Sequence, residues 1–266
     1  MDQTEEKVVL KIKERAYQII IALLVLACLG VGMSDPHVVS EKNKMTQKIV
    51  LIRDDDVKDD TAALEWMTNT IIAKDAKCTY ATIPHLLTQS SITYLKSLDP
   101  ARFELATHGY DHTETENQVA VMATAKDLMI ADFGRVPTSI APPYEIVPPG
   151  FADEAKKLGY HSQINGNIDS STGLYTFPFN FRWESGWNQY NASYHSLDDF
   201  KKSFDGWYNN SSQRVFTINV HHADLYENAG AMKNFSSSLD YMNDKGGIFF
   251  TTEEETYQEV TKVKNR

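Results

Sequence analysis

Three consecutive carboxylates, Asp54, Asp55 and Asp56, end a run of four apolar residues at 49–52. Adjacent carboxylates repel one another, so stability does not explain them. A divalent cation offsets the repulsion, and a spare carboxylate beside it can act as a base. The competing reading is a solvated acidic turn or a helix start, with Asp59, Asp60 and Thr61 as caps. His108 and His112 are four apart. One helical turn at that spacing sets both imidazoles on the same face, where they suit a metal. Two further groups carry chemistry: Pro142-Pro143-Tyr144 and the pair His221-His222. With only two cysteines, Cys28 and Cys78, any metal relies on His and carboxylate.

Each group follows a segment that reads as a strand. Residues 49–52 predict a strand buried on both faces of a parallel sheet. A helix is expected over 61–73, from Ala62, Leu64, Met67 and Ile71, then a strand over 79–83 stopped by Pro84. Residues 90–98 predict a helix, 102–107 a strand running into His108, and 118–133 an amphipathic helix. Residues 139–141 lead into the Pro-Pro-Tyr element, and 150–158 read as a helix with Gly159 after its end. Residues 215–220 predict a strand that leads to His221-His222. Helices over 236–243 and 253–263 flank a last strand at 247–252. Such alternation argues for a parallel sheet or an α/β barrel, whose strand ends at the carboxyl side host chemistry. Tyr175, Phe177, Phe179, Phe181 and Trp183 fall on alternate positions, which predicts one strand with an aromatic face. Core packing accounts for most of these rings. Trp183, Trp187 and Trp207 are the candidates for a platform that stacks on sugar.

The 266 residues, 42% hydrophobic and 23% charged, suit one large core. A net charge of −10 with no local basic cluster excludes a nucleic-acid partner. Residues 17–33 are apolar apart from Gln18 and follow Lys11, Lys13 and Arg15. They read as a signal or membrane-anchor segment within 1–34, and Ala27-Cys28 loosely resembles a lipid-attachment box. Residues 35–47 read as a tether, and the folded domain is expected over 48–263. An extracytoplasmic location follows, secreted or tethered to a membrane. The Asn-X-Ser/Thr triplets at Asn191, Asn209, Asn210 and Asn234 agree with it. No protein partner is inferable.

In order and spacing these motifs resemble the NodB-type polysaccharide deacetylase family, metal-dependent carbohydrate esterases with a distorted (β/α) barrel. The branch whose first motif reads Arg-x-Asp-Asp-Val is matched by Arg53-Asp54-Asp55-Asp56-Val57. The His-x-x-x-His motif is met by His108 and His112, the Pro-Tyr element by Pro143 and Tyr144, and the closing motif around His221-His222-Ala223-Asp224. The resemblance spans roughly residues 48–257. It implies a divalent metal, Zn²⁺ first and Co²⁺, Mn²⁺ or Ni²⁺ as alternatives, held by Asp56, His108 and His112. It also implies Asp55 as base, with Asp54 one position away, and the backbone near Tyr144 as oxyanion partner. The acid is a His at the last strand: alternation from Val220 points to His222, while the family's pattern favours His221. The expected activity removes acetyl groups from an N- or O-acetylated glycan. Where much of the family has Arg, this chain has Ala141, which leaves Arg53 or Arg182 to partner the base. The later acidic-Trp motif is only loosely echoed by Arg182-Trp183-Glu184. Rival readings are a hydrolase of another amide, ester or imide on the same fold, and a catalytically silent carbohydrate-binding domain. A nucleotide-sugar transferase using an Asp-x-Asp metal site lacks its phosphate-cradling Gly-rich loop here.

Overall fold

A computed structural model describes residues 47–59, 61–112, 117–164, 174–188, 191–210 and 212–264. The apolar stretch at 17–33, with Cys28, lies outside them. Among the described residues no helix is long and apolar enough to cross a membrane.

The chain runs β1 (Lys48–Val57), α1 (Thr61–Ala73), β2 (Cys78–Thr82), α2 (Gln89–Ser97), β3 (Phe103–Thr107), α3 (Gln118–Phe133), β4 (Ser139–Ile140), α4 (Phe151–Lys157) and β5 (Ser162–Ile164). There follow β6 (Tyr175–Phe177), β7 (Phe181–Arg182), β8 (Glu184–Asn188), β9 (Asn191–Tyr194), α5 (Leu197–Tyr208), β10 (Val215–Val220), α6 (His222–Tyr226), α7 (Ala229–Lys245), β11 (Ile248–Thr251) and α8 (Glu253–Lys264). Nine strands form one sheet in the order β6-β5-β4-β3-β2-β1-β10-β7, with β11 also on β1. All its pairings are parallel. This curled parallel sheet under helices is the distorted (β/α) barrel expected from the sequence.

Alternation along the strands divides the core. Val50 and Ile52 of β1 pack with Leu64, Met67 and Ile71 of α1 and with Phe235 and Leu239 of α7. The opposite face of β1 carries Leu51, Arg53 and Asp55. Leu51 meets Phe177 and Val260 of α8, one step below Arg53 on the same face. So the face of β1 turned from the helices is apolar low down and charged at the carboxyl end.

The expected single strand over 175–183 is not formed. Pro178 has no amide hydrogen for a ladder, and the run breaks into β6, β7 and β8. Trp183 is fully buried and Trp207 nearly so. The Trp183 ring stacks on Phe200 at 5.5 Å between centroids, and Trp207 meets Phe216 at 5.1 Å. Both indoles therefore belong to the core and not to a sugar platform. The side chain of Trp187 lies outside what the structure describes.

Candidate active site

The three aspartates face three different partners. In a regular strand Asp54 and Asp56 would share one face and Asp55 the other. Instead β1 shifts register against β2 between Asp54 and Val57, and Asp56 has φ 58°. A bulge of this kind re-aims a side chain. Asp54 keeps the helix-facing side, where its carboxylate accepts from the amide of His222 at 2.8 Å and lies 3.0 Å from His222 Nδ1. Burial raises the Asp54 pKa, and His222 only partly opposes this.

Asp56 meets the histidine pair. Its Oδ1 lies 3.1 Å from His108 Nε2 and 3.1 Å from His112 Nε2. The pair does not sit on a helical turn. Residues 108–112 form an irregular loop after β3, with Gly109 at φ 68° and His112 at φ 61°. Left-handed residues curl the loop so that both rings converge, 4.9 Å apart between centroids. Gly109 is needed for space as well, since a Cβ there would lie 2.6 Å from Pro143 Cγ. The backbone carbonyl of Ala141 lies 2.9 Å from His108 Nδ1, which leaves Nε2 toward Asp56. Burial works against ionised Asp56, but hydrogen bonds from the two imidazoles hold its pKa well below the usual range. Two imidazoles and one carboxylate, with ligand atoms all within 4.8 Å of one another, are a donor set that fits a divalent ion with open positions.

Asp55 lies beside this trio, nearly buried. Its Oδ2 accepts from Arg53 Nη2 at 2.6 Å and from Asn219 Nδ2 at 2.9 Å. Burial, the largest single influence, would raise its pKa; the fully buried Arg53 guanidinium, together with His108 and His221, outweighs it and holds the group below the ordinary carboxylate value. Arg53 is thus the guanidinium paired with Asp55, with Phe179 under it at 4.7 Å. Arg182 pairs with Glu145 instead.

His221, also nearly buried, sits above Glu184. Its amide donates to Glu184 Oε1 at 3.0 Å, and its Nδ1 lies 3.4 Å from the same oxygen. Desolvation opposes protonation, yet Glu184, with Asp55 and Asp56, pushes the His221 pKa up to about 9. His222 is elsewhere: it begins α6, buried against Asp54. Alternation from Val220 points to His222, but the polar residues of β10 turn from the helices. Ile218 and Val220 belong to the helix-packed core, while Asn219 and His221 share the face of Asp55.

Pro143 is buried and Tyr144 is 57% exposed. The Tyr144 hydroxyl donates to the backbone carbonyl of His112 at 3.0 Å, and its ring lies 4.4 Å from the His112 ring. Among the described residues five non-glycine positions have positive φ, and four of them, Asp56, His112, Tyr144 and Glu145, are here. Each such residue costs about 1–3 kcal/mol, and such strain concentrates at functional sites.

No protein-family model and no curated protein sequence matches this chain. Solved structures do. A family 4 acetyl xylan esterase from Clostridium thermocellum, in complex with cobalt, aligns with a TM-score of 0.58 at 13% identity over 79% of this chain and 91% of its own. The peptidoglycan deacetylase PdaC from Bacillus subtilis gives 0.55 at 16% over 83% and 95%. An allantoinase gives 0.62 at 10% over 81% and 90%. The fold is that of the family 4 carbohydrate esterases. At these identities the likeness concerns the fold, and the chemistry rests on this chain's own residues.

Sequence reasoning brought Asp55, Asp56, His108, His112, His221, Pro143, Tyr144 and Arg53 forward, and the structure gathers all eight. It sets His222 against Asp54 and Trp183 in the core. It adds Glu184 and Asn219. Asn219 was readable from its parity with His221 on β10, and Glu184 from the acidic-Trp echo. Replacing Glu184 with Gln removes the charge that keeps His221 protonated. Below the ordinary histidine pKa the raised value contributes its full stability; this is lost as pH rises through about 9. In Glu184→Gln, NMR titration of metal-free protein is expected to place His221 lower, with that window shifted down. An unchanged titration would contradict the pairing.

Proposed function

We propose that this chain is a metal-dependent hydrolase that removes acetyl groups, N-linked first and O-linked second, from a glycan. The observation that carries it is the convergence of Asp56, His108 and His112, with Asp55 and His221 close enough to feel the same charges. Zinc is the preferred ion, since a His₂-carboxylate set with open positions is its usual hydrolytic arrangement. When bound, the ion supplies a Lewis acid for the scissile carbonyl and makes water acidic enough to be deprotonated at neutral pH.

The residues then divide the proton work. Asp55 Oδ1, buried and without a hydrogen-bond partner, accepts the proton of the attacking water. Arg53 and Asn219 hold the other oxygen, so the carboxylate cannot rotate away. His221 gives a proton to the departing amine nitrogen, and Glu184 keeps the imidazole charged until then. The backbone N–H at Tyr144 faces the developing oxyanion. His222 and Asp54 support α6 and touch no reacting atom.

The test is acetate release from N-acetylglucosamine oligomers and from acetylated xylan by zinc-loaded protein. Release that disappears in Asp55→Asn supports the reading. Turnover of a cyclic amide with no acetate from either glycan would favour the amide or imide alternative.

A further inference from the structure

Among the described residues two groups of three side chains bring their ligand atoms within 4.8 Å of one another. Asp56, His108 and His112 are the first. Glu184, His221 and Asp224 are the second, and only Glu184 and His221 take part in the proton chemistry above. Asp224 has no role there.

The second group is held together by its own elements. The His221 amide donates to Glu184 Oε1 at 3.0 Å, and His221 Nδ1 lies 3.4 Å from the same oxygen. His221 immediately precedes α6 and Asp224 lies three residues on, so a single turn brings the two side chains to one side. Tyr194 stands opposite Glu184 in the antiparallel pair β8–β9, and its hydroxyl donates to the Asp224 carbonyl at 2.6 Å. One hairpin therefore carries Glu184 and pins the turn that carries Asp224. Glu184 is 4% exposed, and while its Oε1 meets His221, its Oε2 is buried without a hydrogen-bond partner. A buried carboxylate oxygen with no donor is costly, and a cation satisfies it.

We propose that Glu184, His221 and Asp224 form a second divalent-ion site, weaker than the first, and that filling it stops the reaction. The second half of this rests on the assignment of His221 as the acid. One imidazole and two carboxylates suit zinc and similar ions. Two carboxylates balance both charges of such an ion, whereas around an imidazolium they leave one negative charge in excess. His221 ligates as the neutral imidazole, so its proton passes to water when the ion enters. Displacing that proton, with a first ion already nearby, makes the second ion the more weakly held, and it is lost on dialysis. With His221 so engaged, the departing amine receives no proton and hydrolysis stalls.

Calorimetric titration of further zinc into full-length protein, already zinc-loaded and dialysed, tests the site without turnover. Wild type is expected to take up one further equivalent. Asp224→Asn weakens that uptake at least about tenfold, since even an outer-shell partner of a metal is worth about 10–100-fold. Asp224→Ala does the same and rules out an amide oxygen that still ligates. The equivalent retained through dialysis involves none of these three residues, so its presence reports that each variant is folded. Acetate release over the same zinc range should fall by half where the further site is half filled, and that point should move upward with the binding in Asp224→Asn. No further equivalent in wild type, an uptake that neither Asp224 variant weakens, or a full rate with the site filled would each overturn the proposal. Should no glycan release acetate at any zinc concentration, the titration still judges the ion site, and the deacetylase reading is what falls.

Discussion

Replacing Asp55 with Asn lowers kcat by about 10²–10⁴-fold, the usual contribution of a positioned general base, while the metal stays bound. The two parts of that result have separate causes. Asp56, His108 and His112 supply the ligand atoms, and none of them depends on the charge of Asp55. The amide can still accept from Arg53 and Asn219 through its oxygen, so the fold should tolerate it. What disappears is the unpartnered oxygen that takes a proton. Steady-state rates alongside elemental analysis of the same sample check both parts. Activity within a few-fold of wild type would move the base to another group. Asp54 is the nearest by sequence, yet it lies on the helix-facing side of β1 against His222.

Arg53→Met should be the most damaging change that leaves every ligand and proton carrier in place. Arg53 and Asp55 are both buried, at 0% and 5% side-chain exposure. Removing one partner of a buried pair leaves an uncompensated charge and typically costs about 3–5 kcal/mol. The effect on pH follows from the same geometry. In the wild type the Asp55 pKa is depressed, so this pair contributes stability above the ordinary carboxylate pKa and loses it as pH falls through the lower folded value. Without Arg53 the first opposing charge is gone while burial remains, so the folded pKa rises and the stability held above the ordinary carboxylate pKa shrinks. The acid limb of the pH–rate profile should move upward accordingly, and denaturant unfolding at several pH values should show a shallower slope in the acid range. Arg53→Lys should fall between, since it keeps the charge but not the planar fork. An acid limb unchanged in Arg53→Met would show that Arg53 does not set the charge of Asp55.

The barrel was legible because its signals are local. The apolar run at 49–52, the β-favouring stretch at 215–220 and the helix over 118–133 state their type in their own residues. The site was legible in part. Asp55, Asp56, His108 and His112 stand out by type and spacing, but the backbone that joins them does not. His108 and His112 meet through a left-handed loop, not through a helical turn, and nothing in a four-residue spacing separates the two. Asp54, Asp55 and Asp56 are chemically identical in sequence; a register shift against β2 gives them different partners. Alternation from Val220 points to His222, whereas the structure sets His222 against Asp54 and puts Asn219 and His221 on the side of Asp55. The aromatic run at 175–183 kept a strand period across Pro178, where no ladder continues. Glu184 was visible only as a weak motif, since its role depends on meeting His221 across 37 residues.

Elemental analysis of full-length wild type and His108→Ala, after zinc loading and exhaustive dialysis, tests whether Asp56, His108 and His112 hold a divalent ion. One equivalent of zinc in the wild type, and its loss in His108→Ala at retained fold, is the predicted result. Wild type that retains no metal after loading, or a His108→Ala variant that retains a full equivalent, would contradict it.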